Sequence, residues 1–263
     1  MPAIRSSLFL FLLVVAACSD GGNPAPAPAP PPREVAVAGH CESRRFEGTG
    51  FTVCRYDAGR NDLILAVDDA SGPMRSFAGL GRMLGPRRSR LLFAMNAGMY
   101  DDQGMPIGLY VEAGRRRHAI NLRSGPGNFH MKPNGVFAAG PDGQVAVVRS
   151  DRLADLPWQP RWATQSGPML VIDGRLHPSF QPNGPSLHIR NGVGVDGLGT
   201  AWFAISDEPV SFGRFARLFR DRLGCPNALF LDGAVSSLWD RPAGRRDAYP
   251  SLGPLVAVSS GAD

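Results

Sequence analysis

The segment 227–237 holds the residues best placed to do chemistry. A short apolar run at 228–231 predicts a buried strand, and the run ends in the carboxylate of Asp232, followed by Gly233. Strand ends that open into glycine-containing loops often carry reactive groups, because the rigid strand fixes their position. A structural alternative is equally open here, since Asp-Gly is also a common turn in which the carboxylate accepts backbone N–H bonds.

Five further strings contain more small and polar residues than folding needs. They are 96–106, 130–135, 164–170, 188–196 and 205–209. Their candidate side chains are Asn96, Tyr100, His130, Lys132, Asn134, Gln165, Ser166, His188, Arg190, Asn191, Asp207 and Glu208. Taken singly, each has an ordinary explanation, because Asn beside Gly forms turns and Asp or Glu can cap a helix.

The elements that must position these residues are mostly strands. Short apolar runs bounded by turn residues predict strands at 63–67, 91–95, 108–112, 136–139, 145–148, 169–172, 200–205, 228–231 and 255–258. Helical spacing of apolar residues predicts helices only near 77–84 and 212–223, the second capped by Ser211 and stopped by Gly224. Because strands outnumber helices, the predicted fold class is α+β: a mixed β-sheet core with few helices, in a single domain.

The best-defined unit is a strand, helix and strand over 200–231, with Asp232 at its carboxyl end. In open sheets with crossover helices, ligands bind at that edge. The glycine-rich string 194–199 lacks the order of a dinucleotide-binding loop, and it predicts a hairpin turn instead.

The first residues predict export. Arg5 and the apolar run at 8–17 are typical of a signal peptide, because that run is shorter than the roughly 20 residues needed to span a bilayer. Small residues directly before Cys18 resemble a bacterial lipoprotein signal, and Ser19 favours the outer membrane. An ordinary signal peptide cleaved near residue 17 is the alternative.

Three regions follow from this interpretation: a signal peptide at 1–17, a lipidated Cys18 with a Pro/Ala-rich tether at 18–38, and a globular domain at 39–263. The alternating Pro-Ala tract at 23–32 favours an extended, semi-rigid spacer. We therefore expect an exported protein on the periplasmic face of the envelope, held to the membrane by its lipid anchor.

The charge and the cysteines exclude several classes of protein. The net charge of +5 is dispersed, and its basic patches at 87–88 and 115–117 lack interleaved aromatic residues, so no nucleic-acid partner is expected. Cys41 and Cys54 flank a predicted hairpin and could form a disulfide in an oxidising compartment. Cys225 is then expected to be a buried free thiol, and no Cys or His spacing resembles a zinc site.

Taken in order, four of the strings resemble the pattern of the phosphodiester glycosidase family. This family is also called the domain-of-unknown-function 2233 group, and it includes the uncovering enzyme, N-acetylglucosamine-1-phosphodiester α-N-acetylglucosaminidase. Its pattern runs Asn-Gly-Gly-Phe-Phe, Ser-Gly-Pro, an arginine-containing segment and Leu-Asp-Gly-Gly-x-Ser. The chain has 96–100, 166–168, 190–196 and 231–236 in these places, with Ala97, Met99 and Ala234 as departures from it.

The resemblance implies a hydrolase that cleaves the bond between the anomeric carbon of a sugar and a phosphodiester oxygen in a carbohydrate or phosphoglycan. The implied catalytic residues are Asp232, Arg190, Asn96 and Lys132. Asp232 would act as nucleophile or base, and the two cations would hold the phosphate. The expected substrate-binding residues are Tyr100, His130, Asn134, Gln165, Ser166, Asn191, Asp207, Gly233 and Ser236. His130 or His188 could shuttle a proton.

Two other functions remain open at this point. Ser166 or Ser236 could be a nucleophile with His188 and Asp232, although neither serine lies in a Gly-x-Ser-x-Gly elbow. The protein could also bind envelope carbohydrate without turnover. No cofactor is predicted. A divalent Ca or Mg ion is possible, since carboxylates occur at Asp101, Asp102, Asp196, Asp207 and Asp232, but no loop has a diagnostic spacing.

Overall fold

Three large β-sheets surround a shared apolar core in the computed structural model, which describes residues 40–69, 72–232, 235–248 and 251–261. The strands are β1 (Cys41–Phe46), β2 (Thr49–Tyr56), β3 (Asn61–Ala66), β4 (Asp68–Asp69), β5 (Gly72–Pro73), β6 (Leu91–Asn96), β7 (Tyr110–Glu112), β8 (Arg115–His118), β9 (Gly135–Ala139), β10 (Val145–Arg149), β11 (Trp162–Ser166), β12 (Met169–Ile172), β13 (Arg175–Leu176), β14 (Asn191–Val195), β15 (Ala201–Ser206), β16 (Asn227–Phe230), β17 (Leu238–Asp240), β18 (Arg245–Arg246) and β19 (Leu255–Ser260). The α-helices are α1 (Phe77–Leu84) and α2 (Phe212–Arg217), and α2 continues into a π-helical turn, Leu218–Arg222. Short 3-10 helices cover Gly85–Arg90, Asn128–His130 and Ser150–Asp155.

The predominance of strands confirms the predicted α+β class. The first sheet has the order β1-β2-β15-β14-β16-β12-β13, the second β10-β9-β11-β7-β8, and the third β18-β17-β6-β19-β3. Strands β15 and β16 both pair antiparallel with β14, so they run parallel to each other. Their carboxyl ends therefore lie at the same edge of the first sheet, together with the amino end of β14.

The core follows from alternation along the strands. In β19, Val256 and Val258 face the core shared by the three sheets, while Leu255 and Ala257 face the layer that contains α1. The outer face of the first sheet is covered by α2, whose Phe215 is fully buried against it. Each sheet thus buries one face in the common core.

Both predicted helices are present, and their ends have the expected causes. The Ser76 hydroxyl accepts the backbone N–H of Gly79 at the start of α1 (3.1 Å). The Ser211 hydroxyl accepts the N–H of Arg214 at the start of α2 (3.2 Å). These serines satisfy backbone donors that have no partner inside the helix.

Strand β14 was not among the sequence predictions, because two of its five residues are glycines, which are depleted in strands. The structure shows why glycine is needed there. A Cβ at Gly194 would lie 2.7 Å from Cδ1 of Phe219 and 2.8 Å from Sγ of Cys225. Close packing of α2 and its π-helical turn against the sheet depends on this missing side chain.

The predicted hairpin and disulfide near the amino terminus are present. Strands β1 and β2 pair antiparallel, with Cys41 directly opposite Cys54, and the two sulfurs form a disulfide. Cys225 is a buried free thiol, as expected, and burial raises its pKa.

Residues 38–263 form one compact unit. The signal peptide, Cys18 and the tether lie outside the described residues. Within the described part of the chain, none of the helices has the length and apolar character needed to cross a membrane.

Candidate active site

Asn96, at the end of β6, joins the first and third sheets at one edge of the core. Its Nδ2 donates to the backbone oxygen of Asp232 (3.0 Å), and its Oδ1 accepts the backbone N–H of Ser237 (2.8 Å). Asn191, the first residue of β14, donates from Nδ2 to the backbone oxygen (2.8 Å) and to Oδ1 (3.0 Å) of Asn96. Both side chains are buried. They fix the two ends of the loop that begins at Asp232.

Two serine hydroxyls fasten the same loop. Ser166, at the end of β11, donates to the backbone oxygen of Leu231 (3.1 Å) and thereby ties the second sheet to β16. Ser236 donates to the backbone oxygen of Ile189 (3.0 Å) and to Oδ1 of Asn191 (3.2 Å). All three sheets therefore contribute to holding Asp232.

The loop that follows β6 lies directly on β11. The backbone N–H of Gly98 donates to Oγ1 of Thr164 (3.2 Å). A Cβ at Gly98 would lie 2.4 Å from that hydroxyl and 2.4 Å from the backbone oxygen of Gln165, so only glycine allows this approach. The next residues, Met99 and Tyr100, line the same pocket as Asp232.

Asp232 lies on the wall of a pocket of about 370 Å³. The other lining residues are Arg75, Met99, Tyr100, Asp101, Asp102 and Ile107. The backbone N–H of Asp232 donates to the backbone oxygen of Ala97 (3.1 Å), and the residue as a whole is only 8% exposed. A carboxylate whose backbone is held this firmly and whose residue lines a pocket has the setting of a functional group rather than of a surface turn.

Tyr100 stands beside Asp232 in this pocket. Its hydroxyl donates to the backbone oxygen of Ser251 (2.7 Å), and its ring lies against Gly253, where a Cβ would be 2.0 Å from ring atom Cδ1. Burial raises the pKa of the Tyr100 phenol to about 12, with a further contribution from the negative charge of Asp232, while Arg75 acts in the opposite direction. The phenol is therefore neutral at ordinary pH, and both charges lie within electrostatic range of it.

Arg75 supplies the positive charge of the pocket. Its Nη1 donates to the backbone oxygen of Asp102 (3.1 Å), its Nε donates to Oγ of Ser251 (2.9 Å), and Nη2 bonds the same hydroxyl. These partners are neutral, and no carboxylate in the described part of the chain forms an ion pair with Arg75. Its backbone φ of 50° is rare for a residue with a side chain. Such strain is frequent where function requires a fixed geometry.

Comparison with known families assigns the chain. The family model described as phosphodiester glycosidase matches residues 89–250, which is more than half of the sequence. The chain belongs to the phosphodiester glycosidase family. The matched region contains Asn96, Tyr100 and Asp232, whereas Arg75 lies outside it.

One relative and two solved structures are similar to this chain. YigE of Escherichia coli K12, a protein of uncharacterised function, is 40% identical over 152 residues, a match that spans 58% of this chain and 59% of YigE. The catalytic domain of zebrafish N-acetylglucosamine-1-phosphodiester alpha-N-acetylglucosaminidase, auto-inhibited by its pro-peptide, superposes with a TM-score of 0.58 at 14% identity over 84% of this chain and 82% of that one. A hypothetical protein from Synechocystis superposes with a TM-score of 0.52 at 15% identity, over 84% and 61%. At these identities the two structures show a shared fold.

Arg190 does not have the place that was expected of it, as the cation opposite Asp232. Its backbone lies at the same sheet edge, but its guanidinium is buried and lies 3.6 Å from the ring centroid of Phe212. Nε donates to the backbone oxygen of Val210 (2.9 Å), and Nη2 donates to the backbone oxygen (2.8 Å) and Oγ (3.2 Å) of Ser186. Burial lowers the pKa of Arg190 to about 10. The side chain is not among those lining the pocket, where Arg75 provides the cation.

Gln165 was expected to contact a sugar, but its side-chain amide is hydrogen-bonded within the protein instead. Its Oε1 accepts the backbone N–H groups of Leu109 and Asn121 (2.9 Å each). Its Nε2 donates to the backbone oxygen of Asn121 (2.7 Å) and to Oγ of Ser150 (3.0 Å). Four bonds use the full capacity of the amide. Gln165 therefore positions the backbone of the second sheet and has no polar group left for a sugar hydroxyl.

Asn134, Lys132 and His130 form a separate group beside the second sheet. Asn134 is buried and donates from Nδ2 to the backbone oxygen of Phe129 (2.9 Å), while its Oδ1 accepts from Nζ of Lys132 (3.2 Å). Partial burial lowers the pKa of Lys132. Nδ1 of His130 lies 2.9 Å from the backbone oxygen of Arg123. None of the three lines the pocket of Asp232. The predicted catalytic role of Lys132 and the predicted substrate-binding roles of Asn134 and His130 therefore have no contact to support them here.

The remaining carboxylates are scattered. Asp207 is exposed and accepts from Oγ1 of Thr52 (3.1 Å) and Nη1 of Arg245 (3.3 Å), and Glu208 accepts the N–H of Gly50 (3.1 Å). His188 is exposed at an isolated bridge to Val210. Among the described residues, no three or more His, Cys, Asp or Glu side chains gather as metal ligands. Gly233 lies outside the described residues.

Arg75 is the functional candidate that the sequence did not reveal. It stands directly before Ser76, the N-cap of α1, in a segment with no recognisable motif. Its contacts are to Asp102 and Ser251, which are 27 and 176 residues away in the chain. Only the fold brings this cation to the carboxylate.

Proposed function

We propose that this protein hydrolyses the bond between the anomeric carbon of a sugar and an oxygen of a phosphodiester. The observation that carries the proposal is that two residues line the same pocket: Asp232, whose backbone is held by hydrogen bonds, and Arg75, a cation that forms no ion pair with a carboxylate in the described chain. Membership of the phosphodiester glycosidase family supports the same reaction class. The pocket volume of about 370 Å³ lies in the range of small-molecule sites and suits a single sugar unit.

The chemistry of the leaving group explains the composition of the site. Cleavage of the sugar C–O bond sends the bonding electrons to a phosphate oxygen, and the product is a phosphate monoester with a second pKa of about 6. Such a leaving group departs without a strong general acid, unlike an ordinary sugar alcohol. The pocket matches this need, because the Tyr100 phenol, with its pKa raised to about 12, is a weak acid. Arg75 can bind phosphate oxygens through its planar fork.

Asp232 then acts at the anomeric carbon. As a base it would take a proton from water while the water oxygen forms the new C–O bond; as a nucleophile it would first form a covalent ester that water later cleaves. The two routes differ in outcome, since the first inverts the configuration of the sugar and the second retains it. Proton NMR of the first-formed sugar anomer distinguishes the two routes.

The decisive experiment compares Asp232→Asn with Asp221→Asn, a matched removal of one carboxylate from an exposed site that pairs with Arg220. The substrates are an N-acetylglucosamine 1-phosphodiester and the corresponding plain glycoside, each measured with and without a chelator. We expect Asp232→Asn to remove at least about a hundredfold of the phosphodiester activity, the size typical of losing a catalytic acid or base, with Asp221→Asn unchanged. Full activity in Asp232→Asn, or equal rates on both substrates in the native protein, would refute the proposal.

The other two functions make different predictions. A serine nucleophile needs a histidine within hydrogen-bonding distance, yet the hydroxyls of Ser166 and Ser236 donate to backbone oxygens, and neither bonds a histidine in the described structure. Labelling of either serine by a phosphonate probe would nevertheless support that route. A protein that binds envelope glycans saturably but releases no product would be a binding module instead.

We further propose that the enzyme is exported and anchored by lipid at Cys18, with its substrate in envelope or extracellular glycans. The apolar run at 8–17, the small residues before Cys18 and the Pro/Ala tract support this location. A Cys18→Ala variant should lose incorporation of radiolabelled palmitate and appear in the soluble periplasmic fraction. Retention of the native membrane association in this variant would exclude the lipid anchor.

A further inference from the structure

A second cleft opens at the opposite end of the core from Asp232. Strand β6 runs between the two sites, with Asn96 at the active-site end and Arg90, the residue before the strand, at the cleft. Likewise Leu255 of β19 pairs with Asn96, whereas Ser259 of the same strand lines the cleft. The volume is about 630 Å³, within the range of ligand-binding sites.

The cleft concentrates positive charge. Four arginines line it, Arg60, Arg87, Arg90 and Arg161, against the two carboxylates of Asp62 and Asp142. Arg90 is engaged, because it donates to the backbone oxygen of Ser260 (2.6 Å) and lies 3.7 Å from the Asp62 carboxylate.

The guanidinium groups of Arg60, Arg87 and Arg161 are not engaged in this way. Within the described structure, none of the three has an ion pair within 4.0 Å or a side-chain hydrogen bond. Scattered arginines on a convex surface need no ligand to explain them, since water solvates them well. Here Arg60, Arg87 and Arg161 line one concavity together with Arg90, and charges of one sign that line a cleft add their fields.

An aromatic side chain lies between these charges. Trp162, the first residue of β11, lines the cleft directly after Arg161, and it is partly buried against the common core. The contact with the core holds Trp162 in place. Because the residue is only partly buried, the rest of its surface remains available to a ligand. Guanidinium groups recognise phosphate or carboxylate oxygens, while an indole packs against the apolar face of a ring. The combination matches a ligand that has an anionic group attached to a sugar ring.

We propose that this cleft is a second binding site, for an anionic saccharide, separate from the pocket of Asp232. The reaction at Asp232 is not required for this binding. On a polymeric substrate the cleft would hold a phosphate- or carboxylate-bearing sugar unit away from the unit being cleaved.

The test is isothermal titration calorimetry of the full exported domain with glucose 6-phosphate, glucuronate and glucose as probes, at two salt concentrations. The variant Arg60→Ala/Arg161→Ala is compared with Arg115→Ala/Arg116→Ala, which removes the same charge from the exposed strand β8. We expect the first variant to weaken binding of an anionic probe at least about tenfold, which is 1.4 kcal/mol, and the control to leave it unchanged. Asp62→Asn should strengthen binding, because it removes a carboxylate that competes for Arg90.

The arms of the experiment also identify the anion. Preference for glucose 6-phosphate assigns a phosphorylated sugar, preference for glucuronate assigns an acidic one, and glucose should bind weakly in both cases. Trp162→Ala should reduce the affinity for these sugars but not for inorganic phosphate. Equal losses in the cleft variant and the control, or displacement of the sugar by a short oligodeoxynucleotide that binds more tightly, would overturn the proposal. The cleft variant should keep its rate on a small sugar 1-phosphodiester, so failure here is distinct from failure of the proposed reaction.

Discussion

Gly253 packs directly against the ring of Tyr100 in the candidate active site, and a side chain there would collide with that ring. In the Gly253→Ala variant the new Cβ would lie 2.0 Å from Cδ1, 2.3 Å from Cγ and 2.7 Å from Cε1 of Tyr100. Favourable carbon–carbon contacts lie near 3.5–4.0 Å, so the ring must move by about 1.5–2 Å. Gly253 has no positive φ that would itself disfavour alanine. The effect is therefore steric.

Two consequences of this movement can be worked out. Overpacking of this kind typically costs about 1–3 kcal/mol of stability. The displaced ring also carries its hydroxyl away from the backbone oxygen of Ser251, now 2.7 Å away, and alters the wall beside Asp232. A misplacement of about 1 Å in an active site can lower the rate about a hundredfold. We therefore expect a much larger loss of kcat/KM than the modest loss of stability implies.

The assay combines chemical denaturation with kinetics on a sugar 1-phosphodiester. Gly197→Ala is the matched control, because a Cβ there has no atom within 4 Å and the residue lacks a positive φ. In a Tyr100→Ala background, which has no ring to displace, the further change Gly253→Ala should cost little additional stability, and activity should stay low in both variants. If Gly253→Ala melts and turns over like the native protein, the placement of Tyr100 over this glycine is wrong.

Three further outcomes follow from the structure. Arg75→Lys should raise KM for a phosphodiester substrate about tenfold or more, because an ammonium group cannot reproduce the bidentate contact of a guanidinium group. The control Arg82→Lys, on the exposed face of α1, should have no effect. Equal kinetics in the two variants would show that Arg75 does not bind the substrate. The pKa of Tyr100 is raised from 10.0 to about 12 in the folded protein, so its contribution to stability is intact below pH 10 and falls between pH 10 and 12. In denaturation curves the native protein should therefore lose stability across that window more steeply than Tyr100→Phe. Parallel curves for the two proteins would contradict the shift. Replacing Cys41 and Cys54 with serine opens a loop whose ends are 13 residues apart. In urea denaturation, this change should lower the free energy of unfolding by up to about 3 kcal/mol. An unchanged midpoint would show that the disulfide has no stabilising role.

The parts of the fold that the sequence predicted are those in which local pattern and burial agree. Strand β19 alternates between two apolar layers, and β12 is a continuous apolar run whose first three residues are buried, so both have the expected composition. Strand β11 was missed because its polar residues, Thr164 to Ser166, fasten neighbouring loops through Gly98 and Leu231. Those bonds are tertiary contacts, which no local propensity encodes.

The residues of the candidate site divide in the same way. Asp232 and Asn96 could be predicted because each stands at the end of a strand that is visible in the sequence, and the fold brings those two strand ends together through the hydrogen bond between them. The amides of Gln165 and Asn134 looked like sugar-binding groups from their type, but amides serve equally well to satisfy buried backbone groups. Residue type alone cannot separate an amide that binds a sugar from one that satisfies buried backbone groups. The hydrogen-bond partners that each amide has in the folded protein do separate them.

The two arginines show why the cation of the site could not be chosen from the sequence. Arg190 stands in the motif, yet its guanidinium is stacked on Phe212 and bonded to Val210 and Ser186, a set of contacts that stabilises a buried charge without any anion. Binding a phosphate there would require breaking those bonds. Arg75 stands outside every motif, but its own bonds to neutral oxygens leave its charge available beside Asp232. A phosphate site needs a cation whose charge is not already neutralised and whose donors border a pocket, and in this structure that requirement favours Arg75.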